Sequence, residues 1–201
     1  MLETVFWMLS SYLFGSLPFA FWVGKLFSQV DIRRVGDGNP GAANAWKAGG
    51  WQVGLLAVAL EIFKGYLPVA LAQRAGLSGW KLLLVCLMPI LGHATQPFLH
   101  WRGGKALGAS GGVWLALIGW TVFPVYAALT LPVLVVQVEH AYAALSGMLA
   151  LILYALWQEN DWLTAFALVN TLLLFWTHRH ELGRPWQWRP WLQNFLARRG
   201  G

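Results

Sequence analysis

The sequence predicts an all-α integral membrane protein of about seven transmembrane helices, with the N-terminus outside and the C-terminus in the cytoplasm. Three observations lead there. Of 201 residues, 58% are hydrophobic and 11% charged, and the mean hydropathy of +0.54 lies outside the range of an ordinary soluble domain. The apolar residues form successive runs of roughly 20, the length that crosses a bilayer as a helix, whereas irregular backbone cannot stand exposed to lipid. Many of the 14 Trp fall near the ends of those runs, where an aromatic belt belongs.

The first span runs from about Val5 to Phe27, with Pro18 inside and Lys25 placed to snorkel. It opens on Glu3 rather than a basic cluster, which argues against a cleaved signal peptide. A polar glycine-rich loop, Asp31 to Gly50, leads to a second span over Trp51 to Leu71. A third covers Leu82 to Leu99, and the crowding of Pro89, Gly92, His93 and Pro97 predicts a bent or unwound end beside Trp101–Lys105. The fourth starts near Leu107 and stops before Pro124, its Gly108 and Gly112 spaced for close helix contact. A fifth reaches Gln137, Glu139 and His140 mark an exposed turn, and the sixth and seventh cover Ala143–Trp157 and Trp162–Thr177. The whole of 1–201 reads as a single membrane-embedded domain. Its tail, 185–201, alternates Trp, Leu and Phe with Arg, a pattern for a helix lying in the interface.

Charge sets the orientation. With the N-terminus outside, seven spans place Lys25, Arg33, Arg34, Lys47, Arg102, Lys105, Arg179, Arg184, Arg189, Arg198 and Arg199 on the cytoplasmic side, against Arg74 and Lys81 outside. The expected location is the inner (plasma) membrane, with the candidate site facing the cytoplasm. Net charge +6 and a pI near 9.8 do not indicate nucleic acid, because the cations cap hydrophobic segments and suit an anionic lipid surface. Cys86 lies in an apolar run without a partner for an intrachain disulfide.

Two polar segments carry the candidate chemistry. In DIRRVGDGNPGAANAWKAGG, Gly36, Gly38 and Gly41 can take positive φ and uncover backbone N–H groups, while Arg33, Arg34 and Lys47 add positive charge. That combination suits a phosphate. WRGGK repeats it with Arg102, Gly103, Gly104 and Lys105. Glycine-rich basic turns also arise from topology alone, so the two segments count for more together than singly. Within the second span, Glu61 and Lys64 at i, i+3 share a helix face, as a functional pair or as a self-neutralising packing pair. His93 stands near WRGGK, as a site residue or as a buried histidine bonded to a carbonyl.

With these residues in place, the chain resembles the PlsY family of bacterial membrane acyltransferases. GSLPFAFWVGKLF leading into DIRRVGDGNPGAANAWK is similar to that family's lead-in and GSGNPGATN signature with its basic residue. EIFKGYLPVAL resembles its acidic-x-x-Lys-Gly segment. GH and PFLHWRGGKALGAS resemble GH-x-x-P-x-F and F-K-GGKG-x-A-T, and HRHELGR resembles HR-x-N-I-x-R. The resemblance implies transfer of a fatty acyl group from acyl phosphate to the 1-hydroxyl of glycerol 3-phosphate, giving lysophosphatidate for phospholipid synthesis. An acyl phosphate already carries a good leaving group, so the resemblance implies neither a covalent nucleophile, nor a metal, nor another cofactor. Its partners would be the two phosphorylated substrates and membrane lipids.

Carried over by position, Asn39, Asn44, Lys47, Arg102, Lys105 and His178 would line the site, and Gly38, Gly41, Lys64, His93, Gly103 and Gly104 join them as substrate-binding candidates. Four positions depart from the family: its Ser is Asp37, the Gly after GGK is Ala106, its Pro is displaced to Pro97, and its closing Asn is Glu181. An extra negative charge at about 4 Å from a phosphate costs on the order of 1 to 4 kcal/mol. Asp37 has three readings: a cap for the following turn, an ion pair with Arg33 or Arg34, or a base that works with Glu181 or His178 on another acceptor. These three, His178, Asp37 and Glu181, are the catalytic candidates. The alternatives are a diverged paralogue with a different hydroxyl acceptor, or a silent membrane protein that binds or passes a phosphorylated solute. Polar clusters on one face only favour the enzyme over a transporter.

Overall fold

The computed structural model describes residues 1–199, and their regular structure is helical apart from a bridge between Gln137 and Trp188. Gly200 and Gly201, the end of the expected interfacial tail, lie outside the described residues. The helices gather into two compact units, Met1–Gly119 and the chain from Trp120 onward.

In the first unit the leading span is two helices, α1 (Leu2–Gly15) and α2 (Phe19–Ser28), broken at Ser16–Pro18. Pro18 disfavours helical backbone in the residue before it and starts α2 afresh. The expected loop is shorter than its composition indicates, since α3 (Ala42–Arg74) already begins at Ala42. The alanines of AANAWKA hold a helix of two turns. Gly50, at φ 76°, then kinks it where the apolar run begins at Trp51. No neighbouring atom crowds Gly50, so the backbone angle is what calls for glycine there. From the kink to Arg74 the helix is about 36 Å long at 1.5 Å per residue, enough to cross a bilayer.

The third span is α4 (Gly79–Thr95), which stays helical past Pro89 and unwinds at Gln96 into a 3-10 turn, Pro97–Leu99. After a connecting segment comes α5 (Leu107–Ile118). α3 is the hub and packs on α1, α2, α4 and α5. Small residues bring α3 and α5 together: a Cβ added at Gly65 would overlap the Ala109 carbonyl, and one at Gly112 the Ile62 carbonyl. α1 and α4 meet the same way, through Gly15 against Pro89 and Gly92 against Tyr12.

The second unit contains α6 (Val122–Val136), α7 (His140–Trp157), α8 (Asp161–Thr177), the short α9 (Arg179–Leu182) and α10 (Pro190–Arg199). Tyr126 Oη donates to the Ala144 carbonyl at 3.0 Å, and Ser146 Oγ to the Leu129 carbonyl at 3.0 Å, which stitches α6 to α7. Asn160 caps α8 by accepting from Leu163 N at 3.1 Å. The tail is strapped to the end of α6: Arg189 donates from N to the Val136 carbonyl at 2.8 Å and from Nε to the Leu134 carbonyl at 2.9 Å.

By length and composition, five segments of the described chain can cross a membrane: Leu2–Ser28, Ala42–Arg74, Gly79–Leu99, Leu107–Val136 and His140–Trp157. The fourth and fifth expected spans together make up Leu107–Val136, and the seventh corresponds to the shorter Asp161–Thr177.

Candidate active site

The polar loop is ordered because one apolar residue plugs it into the core. Ile32 is fully buried among Ala20, Val23, Ala45 and Ala57, and it fills the space that the missing side chain of Gly24 leaves. Burial of an isoleucine contributes about 1.5 to 3 kcal/mol. Around it Asp31 caps a 3-10 turn, accepting from Arg33 N at 3.0 Å and pairing with the Arg33 guanidinium at 2.7 Å. The Arg33 hydrogen bond holds the Asp31 carboxyl well down, at about 2. Arg33 also lies over the Phe21 ring, 4.8 Å from its centroid. Arg33 is thus committed within the loop, while Arg34 is exposed.

Beyond that turn the chain folds over Asn44. Its Nδ2 donates to Asp37 Oδ1 at 2.8 Å and to the Asn39 carbonyl at 2.9 Å. Asn39 N also donates to Asp37 Oδ1, at 3.2 Å. Gly36 has φ 61°, and a Cβ there would meet both Asn44 Oδ1 and the Lys47 ammonium. Gly38 (φ 77°) spends its N–H on the Val35 carbonyl at 3.2 Å, so it shapes the turn rather than offering a donor. Gly41 is the N-cap of α3. Lys47 sits one turn into the helix, exposed and against this loop.

WRGGK reaches the same place from the other side. Lys105 Nζ donates to Asp37 Oδ2 at 2.7 Å. Asp37 accepts from Asn39 N, as the capping reading has it, but the expected ion pair with Arg33 or Arg34 is corrected: Arg33 pairs with Asp31, and Asp37 pairs with Lys105. Burial pushes its carboxyl up, but the hydrogen bonds from Lys105, Asn39 N and Asn44 win and hold it at about 2. With Oδ1 taken by Asn39 N and Asn44 and Oδ2 by the Lys105 ammonium, the carboxylate is placed to hold a cation rather than to take a proton from an acceptor hydroxyl.

The two glycines of WRGGK have a steric cause that composition does not reveal. A Cβ at Gly103 would overlap the Ala94 carbonyl and one at Gly104 the His93 Nε2, while Gly104 N donates to the His93 carbonyl at 3.1 Å. The segment is pressed onto the end of α4. Four non-glycine residues around it, Gln96, His100, Trp101 and Ala106, hold positive φ. Ala106, at φ 60°, stands where the resembling family has glycine, and the backbone angle explains that preference. Arg102 is exposed on this segment.

Beneath lies a charge cluster closed to solvent. Glu61 Oε2 is 2.8 Å from Lys64 Nζ and 2.8 Å from His93 Nδ1. Glu61 Oε1 accepts from Ala20 N at 3.2 Å, and Lys64 Nζ donates to the Leu17 carbonyl at 2.9 Å. The cluster therefore satisfies both backbone ends at the α1–α2 break and ties them to α4. Lys64 is 0% and His93 5% exposed at the side chain. As groups that touch a substrate they are corrected: both are spent inside the protein, and they act on the site through Gly104 and the α1–α2 joint.

His178 and Glu181 belong to the second unit. His178 follows α8, is buried, and its Nδ1 lies 2.8 Å from the Leu174 carbonyl. A carbonyl only accepts, so Nδ1 carries the hydrogen and the lone pair of the neutral ring is on Nε2. Glu181 is half-buried on α9. The segment after it is held by Arg184, which pairs with Glu139 at 2.8 Å, and by Tyr142 Oη, which donates to the Arg184 carbonyl at 2.9 Å. Among the described residues no group of three or more His, Cys, Asp or Glu is arranged to hold a metal ion.

Known proteins resemble this chain over most of its length. The family model for glycerol-3-phosphate acyltransferase matches residues 5–188. A glycerol-3-phosphate acyltransferase of Thermus thermophilus is 38% identical over 188 residues, covering 92% of each chain. One from Deinococcus radiodurans is 36% identical over 179 residues, covering 87% of this chain and 88% of its own. The crystal structure of PlsY, an integral membrane glycerol 3-phosphate acyltransferase, in its glycerol 3-phosphate form superposes with a TM-score of 0.79 at 28% identity over 90% of each chain. Its lysophosphatidic acid form superposes with a TM-score of 0.78. A match that runs through every signature segment, at these identities and over nearly the full length, makes this chain a member of the glycerol-3-phosphate acyltransferase family, with the helical membrane fold of PlsY.

Proposed function

We propose that this chain transfers a fatty acyl group from acyl phosphate to the 1-hydroxyl of glycerol 3-phosphate, giving lysophosphatidate and inorganic phosphate. The observation that carries the reading is the likeness, over 90% of the chain, to a structure that holds glycerol 3-phosphate. In the reaction the acceptor oxygen forms a bond to the acyl carbon, the acyl–phosphate bond breaks, and its electron pair leaves on phosphate. The hydroxyl proton passes to a base. His178 Nε2 is the candidate, an assignment resting on the HRHELGR segment, and Glu181 stands in the same segment. Lys47, Lys105 and Arg102, with Asn39, Asn44 and the glycine turns of both segments, are assigned to the two phosphates, because charge-assisted hydrogen bonds are the strong ones for such anions. No metal or other cofactor is part of this scheme. Nucleic acid is not among the proposed partners, and membrane lipids are.

We place the protein in the inner membrane with seven spans, counting α5 and α6 within Leu107–Val136 as two crossings and Asp161–Thr177 as the last, its loop 31–41 and WRGGK facing the cytoplasm, on the charge asymmetry given above. Ala43→Cys and Arg184→Cys should react with an impermeant thiol reagent from one side, and Ser78→Cys from the other. Reaction of the first two from opposite sides would end that topology. The activity is tested by incubating the purified full chain with labelled acyl phosphate and, in parallel, acyl thioester donors, against glycerol 3-phosphate and glycerol. Label in lysophosphatidate from acyl phosphate supports the scheme; label only in an acylglycerol refutes the acceptor, and label only from thioesters refutes the donor.

A further inference from the structure

The phosphate site contains an anion of its own. Asp37 uses its two carboxylate oxygens for different tasks. Oδ1 is clamped from its own loop by Asn39 N and Asn44 Nδ2, and Asn44 is itself buried and bonded to the Asn39 carbonyl. Oδ2 faces outward and takes the Lys105 ammonium at 2.7 Å. The clamp fixes the aspartate, whereas Lys105 sits on a flexible four-carbon stem. Both side chains are partly open to solvent, Lys105 at 29% and Asp37 at 40%, so an anion arriving from water reaches the pair. A carboxylate oxygen and a phosphate oxygen ask the same thing of an ammonium.

Building on the function proposed above, we propose that Asp37 is an internal competitor for substrate phosphate: an incoming phosphate takes Lys105 over from Asp37 Oδ2, and the carboxylate retakes it as the phosphorylated product leaves. If the ammonium instead shares its donors between the two anions, they face each other across it and their repulsion acts in the same direction. Either way Asp37 lowers the affinity of this site for phosphate monoesters and speeds their departure. It is a specificity-determining residue that a neutral hydroxyl at the same place would not be.

An aspartate that merely pre-positioned Lys105 would instead strengthen phosphate binding. Calorimetric titration of the detergent-purified full chain with inorganic phosphate and with glycerol 3-phosphate, in the absence of acyl donor, separates the two. Asp37→Asn keeps an oxygen for Asn39 N while removing the charge, and Asp37→Ser serves as the second variant. Both ligands should bind about tenfold more tightly or better in these variants, and the gain should vanish in a Lys105→Ala background. Weaker or unchanged binding in both variants, or an equal gain without Lys105, overturns the proposal. A rise in affinity cannot come from a misfolded variant. Turnover of the wild type with glycerol 3-phosphate is a separate measurement: its absence would refute the acyltransferase reading and leave the phosphate titration a valid test of the competitor.

Discussion

Removing the Glu61 carboxylate should unmake the α1–α2 joint and slacken the active-site segment above it. In Glu61→Gln the Lys64 ammonium, fully enclosed, keeps only the Leu17 carbonyl, while His93 Nδ1 loses its anion and Ala20 N keeps an oxygen. Breaking a buried pair by removing one partner costs about 3 to 5 kcal/mol, because it strands the other charge. For a chain of this size 1 kcal/mol moves the melting temperature by about 2 to 4 °C, so the shift should be roughly 6 to 20 °C downward. Thermal unfolding in micelles, followed by tryptophan fluorescence, reads it directly. The companion variant Glu61→Leu with Lys64→Met removes both charges, and such exchanges are often neutral or stabilising. It should recover most of the melting temperature. Activity should not follow, since leucine offers no acceptor to Ala20 N or His93 and the Gly104 segment rests on His93. A Glu61→Gln protein that melts within about 2 °C of wild type, or a double variant no more stable than the single one, would refute the reasoning.

Other expectations follow from the same geometry. Ala106→Gly relieves a left-handed alanine and should stabilise by about 1 kcal/mol, whereas Gly104→Ala drives a methyl into His93 and should lower activity; Gly111→Ala, with open space around it, is the control. Lys47→Ala and Lys105→Ala should each lower acyl transfer at least about tenfold with the fold kept, the loss expected for a charge-assisted hydrogen bond of roughly 1.5 to 3 kcal/mol; Lys105→Ala should also lower the melting temperature a little, because it removes the partner of Asp37. Acid should destabilise the polar loop. Asp31 and Asp37 are both lowered from 3.8 to about 2, so their contribution is present above pH 3.8 and lost as the pH falls through 2. Melting curves from pH 5 to pH 2 should therefore fall less steeply for Asp31→Asn and Asp37→Asn than for wild type, and salt should shrink the Asp31 part because that pair is partly exposed.

Sequence reading reaches what repeats along one element and stops where a residue's partner comes from another. The helical membrane class was legible because a bilayer admits so few alternatives to apolar runs of this length. The onset of the second span at Trp51 was legible too, since the kink at Gly50 falls where the hydrophobic run starts. The helix Ala42–Gly49 was hidden, because asparagine, glycine and lysine outweigh its alanines in composition. Glu61 and Lys64 declare a shared face by spacing, but nothing in the spacing brings in His93 from α4 or the Ala20 amide from α2. Ile32 left a faint trace, as an apolar residue inside a charged loop, and only packing turns that into an anchor.

The departures from the family pattern show why both kinds of reading are needed. Alignment by motif says that Asp37 and Ala106 replace Ser and Gly, and it gives no sign to either change. At position 106 the sign comes from φ 60°: the backbone wants glycine, alanine strains it, and the strain is local to the start of α5. At position 37 it comes from where the two oxygens point. Had Oδ2 turned back toward Arg33, the aspartate would be one more loop pair and the phosphate would never meet it. Arg33 is already held by Asp31, and Lys105 arrives from across the loop, so the carboxylate ends on a cation assigned above to substrate phosphate. A substitution that looks like lost phosphate binding is, in this arrangement, a weight on one side of an exchange, and its size is what the phosphate titration measures.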